Sequence, residues 1–419
     1  MKAIDMKTIK EWWGRWLRKS EKKDVVSNEG SSAQRIRRLK NFLNKRFDFR
    51  YNCLTGVTEY REKGALGTVF LPIDEREMNG MIVDARLSGI SCWNGMIPTL
   101  VLSNKVESYH PFRLYMDELP GWDGVDRVAP LLMRVSDDAM WLKGGRCWLR
   151  AMVSQWMGEE RCHANSLMPI LISGEQGLGK STFCRQLLPD SLQKYYMDNL
   201  NLSPGTSPEK KLVNKALINL DEFDKISEKR QPDLKNLLQM ITVPIYRGKR
   251  LGYVTEPRLA SFIGTTNSRQ FLCDVTGSRR FLCVEVKQYI SDAALEHKQL
   301  YAQLKKELAD GERDYLTKEE ERELQYRNKR FYRQSLLEDV FFACFRAPEG
   351  EEEGRWFTAA QMFQVMAKRN PSALRGLTAK QLSYRLSGMG LKHKHTNHGN
   401  YYWVVNQGTA LQPVVNQAV

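Results

Sequence analysis

A chain of 419 residues exceeds what one hydrophobic core usually supports, so two or three domains are expected. Its 64 lysines and arginines against 49 aspartates and glutamates give a formal charge of +15, which suits a polyanionic partner such as nucleic acid and equally a solvated basic surface. The eight cysteines are scattered without a CxxC pair, and no uncharged apolar run approaches the roughly 18 residues that cross a bilayer; a reduced, cytoplasmic protein with no membrane partner is expected.

Residues 1–34 read as an N-terminal helix and linker. MKAIDMKTIKEWWGRWLRKS mixes charges with Trp12, Trp13 and Trp16, too polar for a secretory signal, and SEKKDVVSNEGSSAQ follows as a polar connector. From 35 to 115, Ile36, Leu39, Phe42 and Leu43 recur at helical spacing before alternating strand-like residues, which predicts a small α+β module. LPIDERE within it reads as a loop. Residues 116–160 predict a helical connector with Trp141, Trp148 and Trp156 in the core. Across 161–290, short apolar runs alternate with helical stretches, as in a parallel α/β sheet. Residues 291–347 predict a solvated helical segment, with Thr317 and Glu320 forming a capping box. After PEGEEEG, a further unit spans 355–407, and 408–419 form a tail.

The stretch GEQGLGKST, residues 174–182, matches GxxxxGK[ST] between an apolar strand and a helix. Gly174, Glu175, Gln176, Gly177, Leu178, Gly179, Lys180, Ser181 and Thr182 would wrap the phosphates of ATP. Glycines let backbone N–H groups turn inward, Lys180 bridges the β- and γ-phosphates, and Ser181 ligates Mg²⁺. ALINLDEFD supplies the second acidic partner: Asp221 for the Mg²⁺ shell and Glu222 as general base. Solvated carboxylates in a capped turn are the plain alternative. Asn267, ending RLASFIGTTN, suits a sensor of the γ-phosphate, and either Arg279 or Arg280 suits an arginine finger.

GEQGLGKSTF, LINLDEFD, FIGTTN and GSRRF, preceded by YHPF and LPGWDGVDR, resemble the helicase domain of virulence-associated protein E family proteins, relatives of superfamily 3 and of poxvirus-type primase-helicases carried by phages and mobile elements. The resemblance covers roughly residues 105–290. It implies an AAA+-like ATPase that assembles as a homo-oligomeric, hexameric ring, with the arginine reaching a neighbour's nucleotide. No paired-carboxylate primase site is evident upstream.

VPIYRGKRLGYVTEPR lies between Asp221 and Asn267. A hairpin with Arg247, Lys249 and Arg250 at its tip and Tyr246 and Tyr253 on its shoulders suits one DNA strand in a ring's pore, or an ordinary exposed hairpin. In the last unit, capping boxes at Thr358/Gln361 and Thr378/Gln381 open two helices before GLKHKHTNHGNYYWVV, two strands around a polar turn. This is a winged-helix pattern, with Lys380, Gln381, Tyr384 and Arg385 offered to a DNA groove and Lys392 and Lys394 on the wing. His393, His395 and His398 read as wing residues rather than metal ligands.

The expected fold is therefore α/β: an AAA+-like P-loop NTPase core with a small N-terminal α+β module and a C-terminal winged-helix domain. The expected function is an ATP- and Mg²⁺-dependent helicase on single-stranded or forked DNA. A non-translocating, ATP-dependent replication initiator is the alternative.

Overall fold

The structure is a computed structural model that describes residues 32–64, 69–158, 163–203, 206–228, 230–247, 252–273, 278–333, 336–350, 352–387, 389–396 and 399–407. The expected helix around Trp12, Trp13 and Trp16, the 408–419 tail, the hairpin tip with Lys249 and Arg250, and His398 lie outside the described residues. The chain divides into two units, Met1–Glu118 and Leu119–Val419.

In the first unit, helix α1 (32–46) is followed by strands β1 (Phe47–Asn52), β2 (Val57–Glu62) and β3 (Leu71–Pro72). Helices α2 (Glu75–Leu87) and α3 (Met96–Val101), strand β4 (Ser108–Tyr109) and helix α4 (Pro111–Asp117) complete it. The sheet runs β3-β2-β1-β4, with β1 antiparallel to β2 and parallel to β4. Leu39 and Leu43 of α1 are buried against Ile82, Met96 and Ile97, the apolar stripe that the spacing predicts. LPIDERE is not a loop throughout: Asp74 caps α2 by accepting from the Glu77 amide at 2.8 Å.

The second unit opens with α5 (Val128–Met133) and α6 (Ala139–Met157). Its sheet comprises β5 (Met168–Ile172), β6 (Tyr196–Asp198), β7 (Leu217–Leu220), β10 (Ser261–Thr266) and β11 (Phe281–Glu285), in the order β11-β5-β10-β7-β6. Every pair is parallel. Strands β5, β7 and β10 are buried along their whole length, which is why they read as apolar runs rather than alternations. Helices α7 (Lys180–Gln186), α8 (Glu209–Asn214) and α9 (Gln231–Gln239) connect them, and β8 (Thr242–Tyr246) pairs with β9 (Tyr253–Pro257) as a separate antiparallel hairpin.

Within the expected 116–160 connector, helices α5 and α6 form an integral layer of this unit. Trp141, Trp148 and Trp156 of α6 are buried, and Gln155 donates to Leu259 O at 3.0 Å and Ala260 O at 3.1 Å, where β10 begins. Gly144 lets α6 approach the sheet, because a Cβ there would stand 2.9 Å from the Leu282 side chain. The 291–347 segment is likewise not a solvated connector. Helix α10 (His297–Ala309) buries Leu300, Tyr301 and Leu304, and its Glu307 receives Arg146 and Arg150 of α6 at 2.6 Å each. Helix α11 (Lys318–Arg327) starts at the Thr317–Glu320 capping box.

The chain then forms α12 (Leu336–Cys344), β12 (Phe345–Arg346), β13 (Arg355–Thr358), α13 (Ala359–Arg369), α14 (Ala379–Leu386), β14 (His393–Thr396) and β15 (Gly399–Asn406). Both capping boxes form, at Thr358 and Thr378. Strand β15 pairs antiparallel with β12, β13 and β14 over a core of Phe341, Met362, Leu382 and Tyr402.

Candidate active site

Strand β10 lies between β5 and β7, so the C-terminal ends of these three strands stand side by side. The loop after β5 turns through Gly177 at φ +79° and Gly179 at φ +81°, conformations that side chains with a Cβ rarely adopt. At Gly179 space is short as well: a Cβ would meet Ile290 O at 3.0 Å. The Ile290 amide donates to Leu178 O at 3.0 Å, fastening the loop to the segment after β11.

Lys180 is buried, and its ammonium donates to Ser173 Oγ and, at 2.8 Å, to Asn267 Oδ1 at the tip of β10. Burial lowers the Lys180 pKa, while the Asp221 carboxylate opposes that shift. Asp221, just beyond β7, accepts from Ser181 Oγ at 3.3 Å and from Thr265 Oγ1. Asp224 accepts from Thr266 Oγ1 at 2.6 Å. Lys180, Ser181, Asp221 and Asn267 are thus brought together, along with Ser173, Thr265, Thr266 and Asp224, which sequence reasoning passed over.

Glu222 stands apart from this cluster. Its backbone is left-handed at φ +53°, and its carboxylate, 55% exposed, pairs with Lys225 at 2.5 Å. Arg279 and Arg280 share the helical turn Ser278–Arg280 before β11. Arg279 is exposed and reaches Glu321 at 3.3 Å; Arg280 is half-buried, and burial together with the neighbouring Arg279 charge lowers its pKa. Gly174, Glu175 and Gln176 are exposed along the loop, and Thr182 is exposed in α7. A cavity of about 270 Å³ lies against Gly174 and Glu175, and one of about 750 Å³ against Ser181, Thr182 and His297.

Among the nucleic-acid candidates, Tyr246 and Tyr253 face each other across the β8–β9 hairpin with ring centroids 5.4 Å apart. Arg247 is engaged by Glu256 at 2.6 Å, so its charge is partly neutralised. The α14 expectation is corrected at Arg385. That guanidinium is buried and paired with Glu338 at 3.4 Å and Glu228 at 3.6 Å, so it is not offered to a DNA groove. Lys380 and Tyr384 are exposed but line a cleft of about 890 Å³ shared with Glu228, Pro232 and Cys273. Lys392 and Lys394 are exposed. Among the described residues no group of three or more His, Cys, Asp or Glu is arranged to hold a metal, and no helix is long and apolar enough to cross a membrane.

The second unit is thus a parallel α/β body carrying a lysine, a hydroxyl and a carboxylate at adjoining strand ends. Residues 116–333 match the virulence-associated protein E-like domain, and the chain belongs to that family. Residues 334–404 match a domain of unknown function, DUF3874. No curated protein matches the chain. Among solved structures it is similar to two apo structures of the NrS-1 C-terminal region. These share 12% and 13% identity with it, at TM-scores of 0.42 and 0.43, and in each case 88% of this chain and 98% of that one are covered.

Proposed function

We propose that this chain is an AAA+-like P-loop ATPase that works as a homo-oligomeric ring helicase on single-stranded or forked DNA in a phage or mobile-element replication system. One observation carries the reading: Lys180, Ser181, Asp221 and Asn267, from three separate stretches of sequence, converge where β5, β10 and β7 end. Lys180 would grip the β- and γ-phosphates of ATP once they replace Ser173 and Asn267 as its partners. Asn267 would then sense the γ-phosphate.

The donor set fits Mg²⁺. Ser181 Oγ and Asp221 Oδ1, 3.3 Å apart, are two hard oxygens, and Mg²⁺ usually takes one or two protein oxygens and completes its shell with water and phosphate. When bound, the ion would neutralise charge developing on the phosphate oxygens. Glu222 would serve as general base after a side-chain rotation away from Lys225. Arg279, the more exposed of the two arginines, is the candidate to complete a neighbouring copy's site. The C-terminal stretch runs helix, strand, strand, helix, helix, strand, strand, an order consistent with a winged helix.

The test is strand separation on a forked DNA, read together with particle mass in the presence of ATP. A ring-sized particle that unwinds the fork, and a Lys180→Ala variant that neither binds ATP nor unwinds, are expected. ATP-dependent assembly on DNA without unwinding would favour an initiator instead, and full-speed hydrolysis by a strict monomer would overturn the shared site.

A further inference from the structure

The C-terminal sheet has a second face that the α14 reading does not use. Along β15, Tyr402 and Val404 are buried at 1% and 0% exposure, so Tyr401 and Trp403, which alternate with them, point to the other side. Trp356 lies directly across from Trp403 in the β13–β15 register, and their rings are 5.0 Å apart with an interplanar angle of 53°. Lys394 lies across from Tyr401, and its Nζ stands 4.3 Å from the Trp356 ring and 5.9 Å from the Tyr401 ring. Lys392 precedes it by two residues and falls on the same side, and its carbonyl accepts from the Trp403 amide at 2.8 Å. Three aromatic rings and two lysines therefore share one sheet face.

Lys392 and Lys394 bring basic charge to this face, while Glu349, Glu352 and Glu353 lie in the loop before its strands. Between Arg355 and Gln407 the chain has eight lysines and arginines and no aspartate or glutamate. The acidic loop before it keeps Glu352 occupied with Arg346 at 2.6 Å, while Gly354 packs against one edge of the Trp403 indole. A polyanion fits such a surface. Flat rings interleaved with lysines add a second requirement, a ligand whose own flat faces are open, and unpaired bases meet it where a duplex does not.

We infer that this sheet face binds a single strand of nucleic acid, with Trp356, Tyr401 and Trp403 stacking on bases and Lys392 and Lys394 meeting phosphates. It deepens the proposed DNA role and rests on it for the choice of nucleic acid among polyanions. Strand capture thereby moves from α14, whose Arg385 is turned inward, to the opposite side of the same domain.

The test is fluorescence anisotropy of a labelled oligodeoxythymidylate titrated with the full chain, without nucleotide. The double variant Trp356→Ala/Trp403→Ala should weaken binding about tenfold or more while thermal melting keeps its wild-type form. Trp403→Phe, which keeps a ring, should stay near wild type. Lys392→Ala/Lys394→Ala should weaken binding and flatten its salt dependence. A duplex of the same length should bind more weakly than the single strand. Unchanged oligonucleotide affinity in the double tryptophan variant, equal loss in Trp403→Phe, or a preference for duplex would each overturn the inference. So would a change of oligomeric mass in these variants with oligonucleotide affinity intact, since the face would then join protein copies. Lys180→Ala should bind the oligonucleotide like wild type; hydrolysis or unwinding by that variant would count against the ATPase reading alone.

Discussion

Asp221 sits between Ser181 and Thr265 and is the acidic group nearest the proposed metal position. Asp221→Asn keeps the shape and removes the charge, so Mg²⁺-dependent hydrolysis should fall by at least 100-fold, while binding of ATP measured in EDTA changes little. Single-turnover hydrolysis and equilibrium binding separate the two. Glu222→Gln should retain ATP and lose turnover; an unaltered rate would leave Asp224, held on Thr266, as the better base candidate. Lys180, Ser181, Asp221 and Asn267 were legible beforehand because a glycine-framed lysine and polar residues ending apolar runs are uncommon in combination. Thr265, Thr266 and Ser173 were not. Hydroxyl residues end many strands, and their role appears only when β10 is seen to lie between β5 and β7.

At the scale of elements, the glycine loop depends on its backbone. Gly179→Ala would place a Cβ at a left-handed φ and against Ile290 O, so loss of ATP binding with little change in far-UV circular dichroism is expected. The α6–α10 contact makes a different prediction. Burial pushes the Glu307 carboxyl up, but hydrogen bonds and charge from Arg146 and Arg150 outweigh it and hold its pKa below the ordinary value. A depressed carboxylate stabilises the fold fully above its unfolded pKa of about 4.3, and that stability is lost as pH falls through the folded value. Glu307→Gln should therefore lower Tm clearly at neutral pH, and its gap from wild type should narrow as the pH is taken below about 4. A gap independent of pH would remove the ion pair from the account. These helices were misread as connectors for a physical reason. The charges on α10 suggest solvent, and only the fold reveals that Glu307 is covered by two guanidinium groups from α6.

For the whole molecule, the parallel sheet could be anticipated from alternating apolar and helical segments. The strand order could not, since equally apolar strands carry no label for their neighbours. If Arg279 completes a neighbour's site, mixing Arg279→Ala chains with Lys180→Ala chains should restore partial hydrolysis, because some interfaces then hold one intact half from each. Two inactive proteins that stay inactive at every ratio would argue for a self-contained site.

The strand order also has a consequence for biosynthesis. Among the described residues, strand β5 pairs only with β10 and β11, both made roughly a hundred residues later, whereas β6 and β7 can pair as soon as they emerge. During translation the five-residue segment Met-Pro-Ile-Leu-Ile must wait with both edges open, the condition in which apolar strands aggregate or recruit chaperones. Ribosome-stalled chains ending before Ser261 should accordingly be protease-sensitive across β5, and chains extended past Glu285 should become protected there in a single step.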